Sequence, residues 1–149
     1  MSTRAQIKID GTPILLYQHS DGYPSYLLKT LLPFLVEFHQ HRGHDAEYLP
    51  AQLMARMIAN QNEENEAWNK ENAQLIEAFP SMKMRGPQFT GFGLDLNLHG
   101  DIEYLYEIDK KGTVNVRPAR GTDVRKSIGK FPLGTTYEQA MEKLGDKAG

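Results

Sequence analysis

Between Gly91 and Arg117 apolar and polar residues alternate with a period of two. In "GFGLDLNL" the apolar positions are Phe92, Leu94, Leu96 and Leu98. In "IEYLYEID" they are Ile102, Tyr104, Tyr106 and Ile108, and in "TVNVR" Val114 and Val116. Successive strand residues point to opposite faces, so this pattern predicts strands with one apolar face. For all the apolar residues to share that face, the two connecting loops must hold odd numbers of residues. The second reads Lys110-Lys111-Gly112, with Gly at the third position, where a three-residue hairpin loop needs a positive φ. The first reads His99-Gly100-Asp101. A three-stranded antiparallel meander is expected.

The remaining chain supplies partners for that sheet. "AQIKIDGTPILLYQH" sets Ile7 and Ile9 on one face ahead of Asp10-Gly11, which predicts an N-terminal hairpin. In "PSYLLKTLLPFLVEFHQHRG", Lys29, Pro33, Glu37 and His41 form a polar stripe opposite Leu28, Leu31, Leu32, Leu35 and Phe38, the mark of an amphipathic helix. Pro33 predicts a kink or a fresh start, and Gly43 a C-terminal stop. Asp45 is placed to cap a second helix that buries Leu49, Leu53, Met57 and Ile58. Residues 61–88 form a Glu/Asn-rich insertion, helical or loop, with "SMKMRGPQ" read as loop. Residues 117–134 are read as a basic irregular segment. Thr135 and Glu138 then make a capping box for a closing helix through Tyr137, Ala140, Met141 and Leu144. The expectation is a single α+β domain over 1–149, in the order ββ-αα-βββ-α, with helices on one face of an antiparallel sheet.

Composition narrows the function classes. Hydrophobic residues at 40% and charged residues at 24% are ordinary for a globular chain able to bury its own core. With no cysteine there is no disulfide framework, thiolate metal site or thiol nucleophile. No apolar run approaches the ~20 residues of a membrane span. The first residues lack the apolar stretch of a secretory signal, so a cytoplasmic setting is expected. A net charge of −2 argues against a dedicated duplex binder. The charge is uneven, however. Residues 61–77 hold five Glu against one Lys, and residues 110–130 seven Lys or Arg against one Asp.

Two His-x-Asp triplets stand eighty residues apart, His19-Ser20-Asp21 and His99-Gly100-Asp101. Imidazole nitrogens and carboxylate oxygens suit zinc, manganese or iron(II), and a His–Asp pair serves as an oriented base. If they converge, His19, Asp21, His99 and Asp101 are the catalytic and metal candidates for a metal-dependent hydrolase. Each triplet also has a local explanation. Asp21 precedes a helix whose backbone N–H groups it can cap, and Gly100-Asp101 is turn chemistry. In "HQHRGH", His39 follows the apolar stripe and His41 the polar one, so a helix splays them apart. The basic stretch offers Arg117, Arg120, Arg125 and Lys126 to a nucleic-acid backbone, making an accessory factor a second alternative, but it holds one aromatic, Phe131, for stacking. "GFGLDLN" opens a strand, the wrong context for a dinucleotide fingerprint, and no cofactor is called for.

"H-x-DGYP", His19 and Asp21 to Pro24 with the Leu-rich run after it, and "GFGLDLNLHGDIEYLYEID", Gly91 to Asp109, together resemble a family of small uncharacterised proteins of bacterial prophage and archaeal type. The resemblance covers about half the chain and omits the Glu/Asn-rich middle and the basic tail. It implies an intracellular, phage-linked setting and carries over no catalytic role. The leading expectation is therefore a non-enzymatic module that self-associates or docks on a protein partner. Trp68, Leu75, Ile76 and Phe79 form its interface, an apolar stripe in a segment otherwise crowded with Glu and Asn.

Overall fold

A computed structural model describes residues 2–85 and 91–149. Residues 86–88 of the expected loop lie outside the described residues. The strands are β1 (Ala5–Ile9), β2 (Leu15–Gln18), β3 (Phe92–Asp95), β4 (Tyr104–Ile108), β5 (Val114–Arg120), β6 (Asp123–Val124) and β7 (Gly129–Phe131). The helices are α1 (Pro24–Arg42), α2 (Tyr48–Glu71), α3 (Ala73–Ala78) and α4 (Tyr137–Leu144). The fold is mixed α and β, with helices against one face of one sheet.

The two hairpins form. β1 pairs antiparallel with β2, and β4 with β5. Around the second turn Ile108 faces Val114, Gly112 takes φ +82°, and Asp109 Oδ1 accepts from the Lys111 and Thr113 backbone N–H groups. The expected meander is corrected on its first limb, and with it the antiparallel sheet. The strand order is β3-β2-β1-β4-β5-β6, with β7 also on β5, and β1 lies parallel to β4. β3 thus pairs with β2, not β4. Alternation fixes which face a side chain takes, not which strand becomes its neighbour.

β3 and β4 run the same way with two strands between them, so residues 96–103 must return along the sheet. Asp95 is level with Leu15, Lys8 and Glu107, whereas Tyr104 is level with Ala5. Three inter-strand gaps of ~4.8 Å and three residues of rise make roughly 18 Å. Eight extended residues reach ~26–29 Å. The crossover lies on the face away from the helices, over Gln6. Gln6 Nε2 donates to the Asn97 carbonyl (3.1 Å), and the His99 backbone N–H donates to Gln6 Oε1 (2.8 Å). Gln6 is thereby fully buried with both ends of its amide satisfied.

The registers place Leu94, Tyr104, Tyr106, Val114 and Val116 on one face, as the alternation predicts. Ile7, Ile9, Leu16, Tyr106, Ile108 and Val116 there meet Leu27, Leu28, Leu31, Leu35, Leu49 and Leu53 of the helices in the main core. Leu15, Ile102 and Leu105 are buried outside that cluster. Ile102 and Leu98 therefore do not share the core face that the alternation implies for them. Leu98 instead shares a groove with Leu15 and Leu105 on the other face.

Several local expectations are corrected. α1 begins at Pro24 with Tyr23 at the N-cap, and Asp21 makes no cap. Asp21 takes φ +59°, alone among the described non-glycine residues, and Gly22 packs so tightly that a Cβ would sit 2.6 Å from that of Ala5. α1 runs through Pro33 as one helix, without the fresh start. The hydrogen bond that proline forfeits belongs to the carbonyl of Lys29, a residue on the same exposed stripe. Asp45 does hold the approach to α2, accepting from the Glu47 and Tyr48 backbone N–H groups. The C-terminal capping box is Thr136 with Gln139, not Thr135 with Glu138. Residues 117–134 are not irregular but carry the end of β5 together with β6 and β7.

Candidate functional site

Both His-x-Asp triplets contribute to one cluster, on the face the crossover covers. His99 stacks on Tyr17 with ring centroids 4.1 Å apart. Tyr17 Oη donates to Asp101 Oδ2 (3.3 Å) and lies 3.1 Å from His19 Nδ1. Arg4 Nε reaches Asp101 Oδ2 at 3.0 Å and His19 Nδ1 at 3.4 Å. Because a guanidinium only donates, His19 Nδ1 is the acceptor in that contact. His99 Nε2 pairs with Asp95 Oδ2 at 3.0 Å, with its Nδ1 3.9 Å from Asp101 Oδ1. Burial, then the Asp101 carboxylate, pushes the Tyr17 phenol up. The backbone N–H groups of Asn97 and Leu96, then His99, hold the Asp95 carboxyl below the usual carboxylate range.

Asp21 does not join this cluster. It sits in the turn before α1, where its charge helps burial raise the Tyr23 phenol, and it faces a cleft with Gln61 and Asn65. So His19, His99 and Asp101 gather, and the fourth candidate does not. Among the described residues no group of three or more His, Cys, Asp or Glu side chains is arranged to hold a metal ion. The Asp101 carboxylate is already engaged by a guanidinium and a phenol. Chemically the arrangement is a clasp that ties the crossover to β1 and β2. His39 and His44 also approach each other, ring centroids 6.0 Å apart, while His41 is exposed. Burial, then His44, pulls the His39 imidazole down.

The basic candidates are divided. Arg117 Nη1 lies 3.6 Å from Glu107, and its Nε donates to the Arg125 carbonyl. Arg125 pairs with Asp123 at 3.0 Å. Arg120 and Lys126 are exposed and in no ion pair among the described residues. Arg117 also borders the open groove of about 560 Å³ that lies between the crossover and β6, beside Lys8, Leu105 and Val124.

The fullest apolar display belongs to the helical arm. α2 runs 24 residues, about 36 Å at 1.5 Å per residue. Its first half buries Leu49, Leu53 and Met57, and Asn65 is its last buried residue. From Glu66 to Arg85 nothing is buried, so this stretch extends past the core. The Asn69 amide folds the return segment back on α2, donating to the Met84 carbonyl and accepting from its N–H (2.7 and 2.8 Å). Of the four expected interface residues, Phe79 (58%) and Leu75 (38%) are exposed, while Trp68 and Ile76 are half-buried beside them. Met82 and Met84 are exposed apolar residues on the same arm, and reading 81–88 as mere loop misses them. Leu94 and Leu96 are missed too. At 62% and 65% exposure, they are the most open large apolar side chains among the described residues. Period two sets the direction of Leu94 but says nothing of whether a helix covers it.

No helix among the described residues is long and apolar enough to cross a membrane. Comparison of the chain with protein-family models, curated proteins and solved structures gives no match.

Proposed function

We propose that this chain is a non-enzymatic protein-interaction module that self-associates through its helical arm. One observation carries the reading: from Glu66 to Arg85, the described part of the arm beyond Asn65, no residue is buried and Leu75, Phe79, Met82 and Met84 are presented to solvent. A stretch that contributes nothing to its own core costs conformational entropy to order. Burial against a partner returns about 25 cal/mol per Å² of apolar surface. Met and Phe are also residue types enriched in interface cores. The resemblance carried by the two motifs adds a cytoplasmic, phage-linked setting to the proposal.

Sedimentation equilibrium of the full chain tests it. The expected outcome is a concentration-dependent assembly that Leu75→Ala with Phe79→Ala shifts toward monomer by tenfold or more in Kd, with circular dichroism unchanged. A strict monomer at high concentration, indifferent to these substitutions and to Trp68→Ala, overturns the reading.

A further inference from the structure

We infer that two copies of this chain join through the free edge of β3, pairing antiparallel about a two-fold axis at Gly93 and continuing one sheet into the other. The inference rests on the self-association proposed above and gives it a geometry.

The two sheet edges are treated differently. On the far side the outer edge of β5 is shared by β6, two residues long, and β7, three residues long with Lys130 and a following Pro132. Short strands, lysine and proline are ordinary protections against edge-to-edge pairing. Among the described residues β3 pairs with β2 alone, and the strand carries no lysine and no proline. Its one charged residue, Asp95, is bonded by His99 and by two backbone N–H groups, and in an antiparallel pair about Gly93 it lies across from Gly91 of the other copy, so the two carboxylates do not meet.

Hydrogen-bond parity fixes the register. The His19 backbone N–H donates to the Gly91 carbonyl, and Tyr17 lies opposite Gly93. Bonded and non-bonded pairs alternate along an antiparallel ladder, so Gly91, Gly93 and Asp95 turn their backbone groups toward β2. Phe92 and Leu94 turn theirs outward, where no described strand meets them. A second β3 satisfies all of these groups when Phe92 of one copy faces Leu94 of the other, which puts the axis at Gly93. On the helix side Phe92 then lies across from Leu94, an aromatic–aliphatic cross-strand pair.

A four-residue strand pair alone falls short of the ~1,200–2,000 Å² that a stable interface buries. The same flank supplies the remainder. Met84, at the end of the arm, shares a cleft with Gly91 and Phe92, so the arm's return segment reaches this edge.

Cross-linking tests the register directly, because the chain has no cysteine of its own. A Cβ at Gly93 meets nothing within 4 Å, so Gly93→Cys fits the monomer. At the axis the two Cα atoms stand ~4.5 Å apart as a non-bonded pair. That lies within disulfide range. Under a glutathione redox buffer Gly93→Cys is expected to give a covalent dimer, whereas Lys130→Cys on the guarded edge gives none. Leu94→Lys in the otherwise native chain is expected to weaken association at least tenfold by sedimentation. A native chain that associates while Gly93→Cys stays uncrosslinked and Leu94→Lys has no effect overturns the edge pairing and leaves self-association standing. A native chain that stays monomeric overturns both.

Discussion

Gln6 holds the crossover to the sheet with a single side chain. Both ends of its buried amide are bonded to residues 97 and 99, so truncation leaves a backbone donor and a carbonyl with no partner. Gln6→Ala is expected to destabilise the fold by about 2 kcal/mol, read as a lowered denaturant midpoint at constant m. Gln6→Glu keeps the acceptor but not the donor and should also lose stability. Asp95 contributes in a pH-dependent way. Its folded carboxyl is held below the ordinary value, so on acidification the unfolded chain takes up a proton first. The stabilisation is complete above the ordinary carboxylate pKa of ~3.9 and is lost as pH falls through the depressed folded value. Asp95→Ala is therefore expected to flatten the decline of the thermal midpoint below about pH 4. An unchanged slope would assign that decline to other carboxylates, such as Asp45, which Arg42 and then the Tyr48 N–H hold down in the same way. Single residues were the hardest to read from the chain. "His-Ser-Asp" suggests a cap or a ligand at Asp21, but Asp21, at φ +59° before the tightly packed Gly22, makes no cap and stands apart from the cluster that His19, His99 and Asp101 form.

Elements were legible where a periodicity is long and opaque where a contact decides. The polar stripe of α1 and the apolar face of α4 follow from spacing alone. Pro33 does not restart α1, because its missing donor falls on the solvent side and packing of Leu27, Leu28, Leu31 and Leu35 holds the helix on either side. Pro33→Ala is expected to raise stability by about 1–2 kcal/mol, since the helix regains a hydrogen bond while the unfolded chain gains some freedom. A fall in thermal midpoint would mean that the proline shapes the helix to the core. The β3–β4 connection shows the limit of alternation. An odd loop of three residues and a crossover of eight both leave Leu94 and Tyr104 on one face. Only the pairing of β1 with β4 separates the two, and that depends on residues nearly a hundred positions apart. The His–Asp cluster was half visible for the same reason: composition flags His19, His99 and Asp101, whereas Arg4, Tyr17 and Asp95 enter only through the topology.

At the scale of the molecule the chain divides its apolar surface unevenly. The helix layer closes over β1, β4 and β5, yet Leu94, on the same face, stays open. The arm leaves the core at Asn65 and carries its own apolar cluster past it. These two features lie on one flank, joined by the cleft that Met84 shares with Phe92. The opposite flank is short-stranded and basic. The amino-acid sequence carries this asymmetry as an acidic middle and a basic tail, but composition cannot say that the flanks are the two ends of one sheet.

The parallel seam between β1 and β4 sets an order of assembly. A ribosome that has released the first hairpin has made the centre of the sheet, and that centre keeps one bare side until residues 104–108 emerge. Contacts so distant in sequence slow folding. A chain that stops before Tyr104 leaves that edge of β1 unpaired, a template open to strand pairing with other chains.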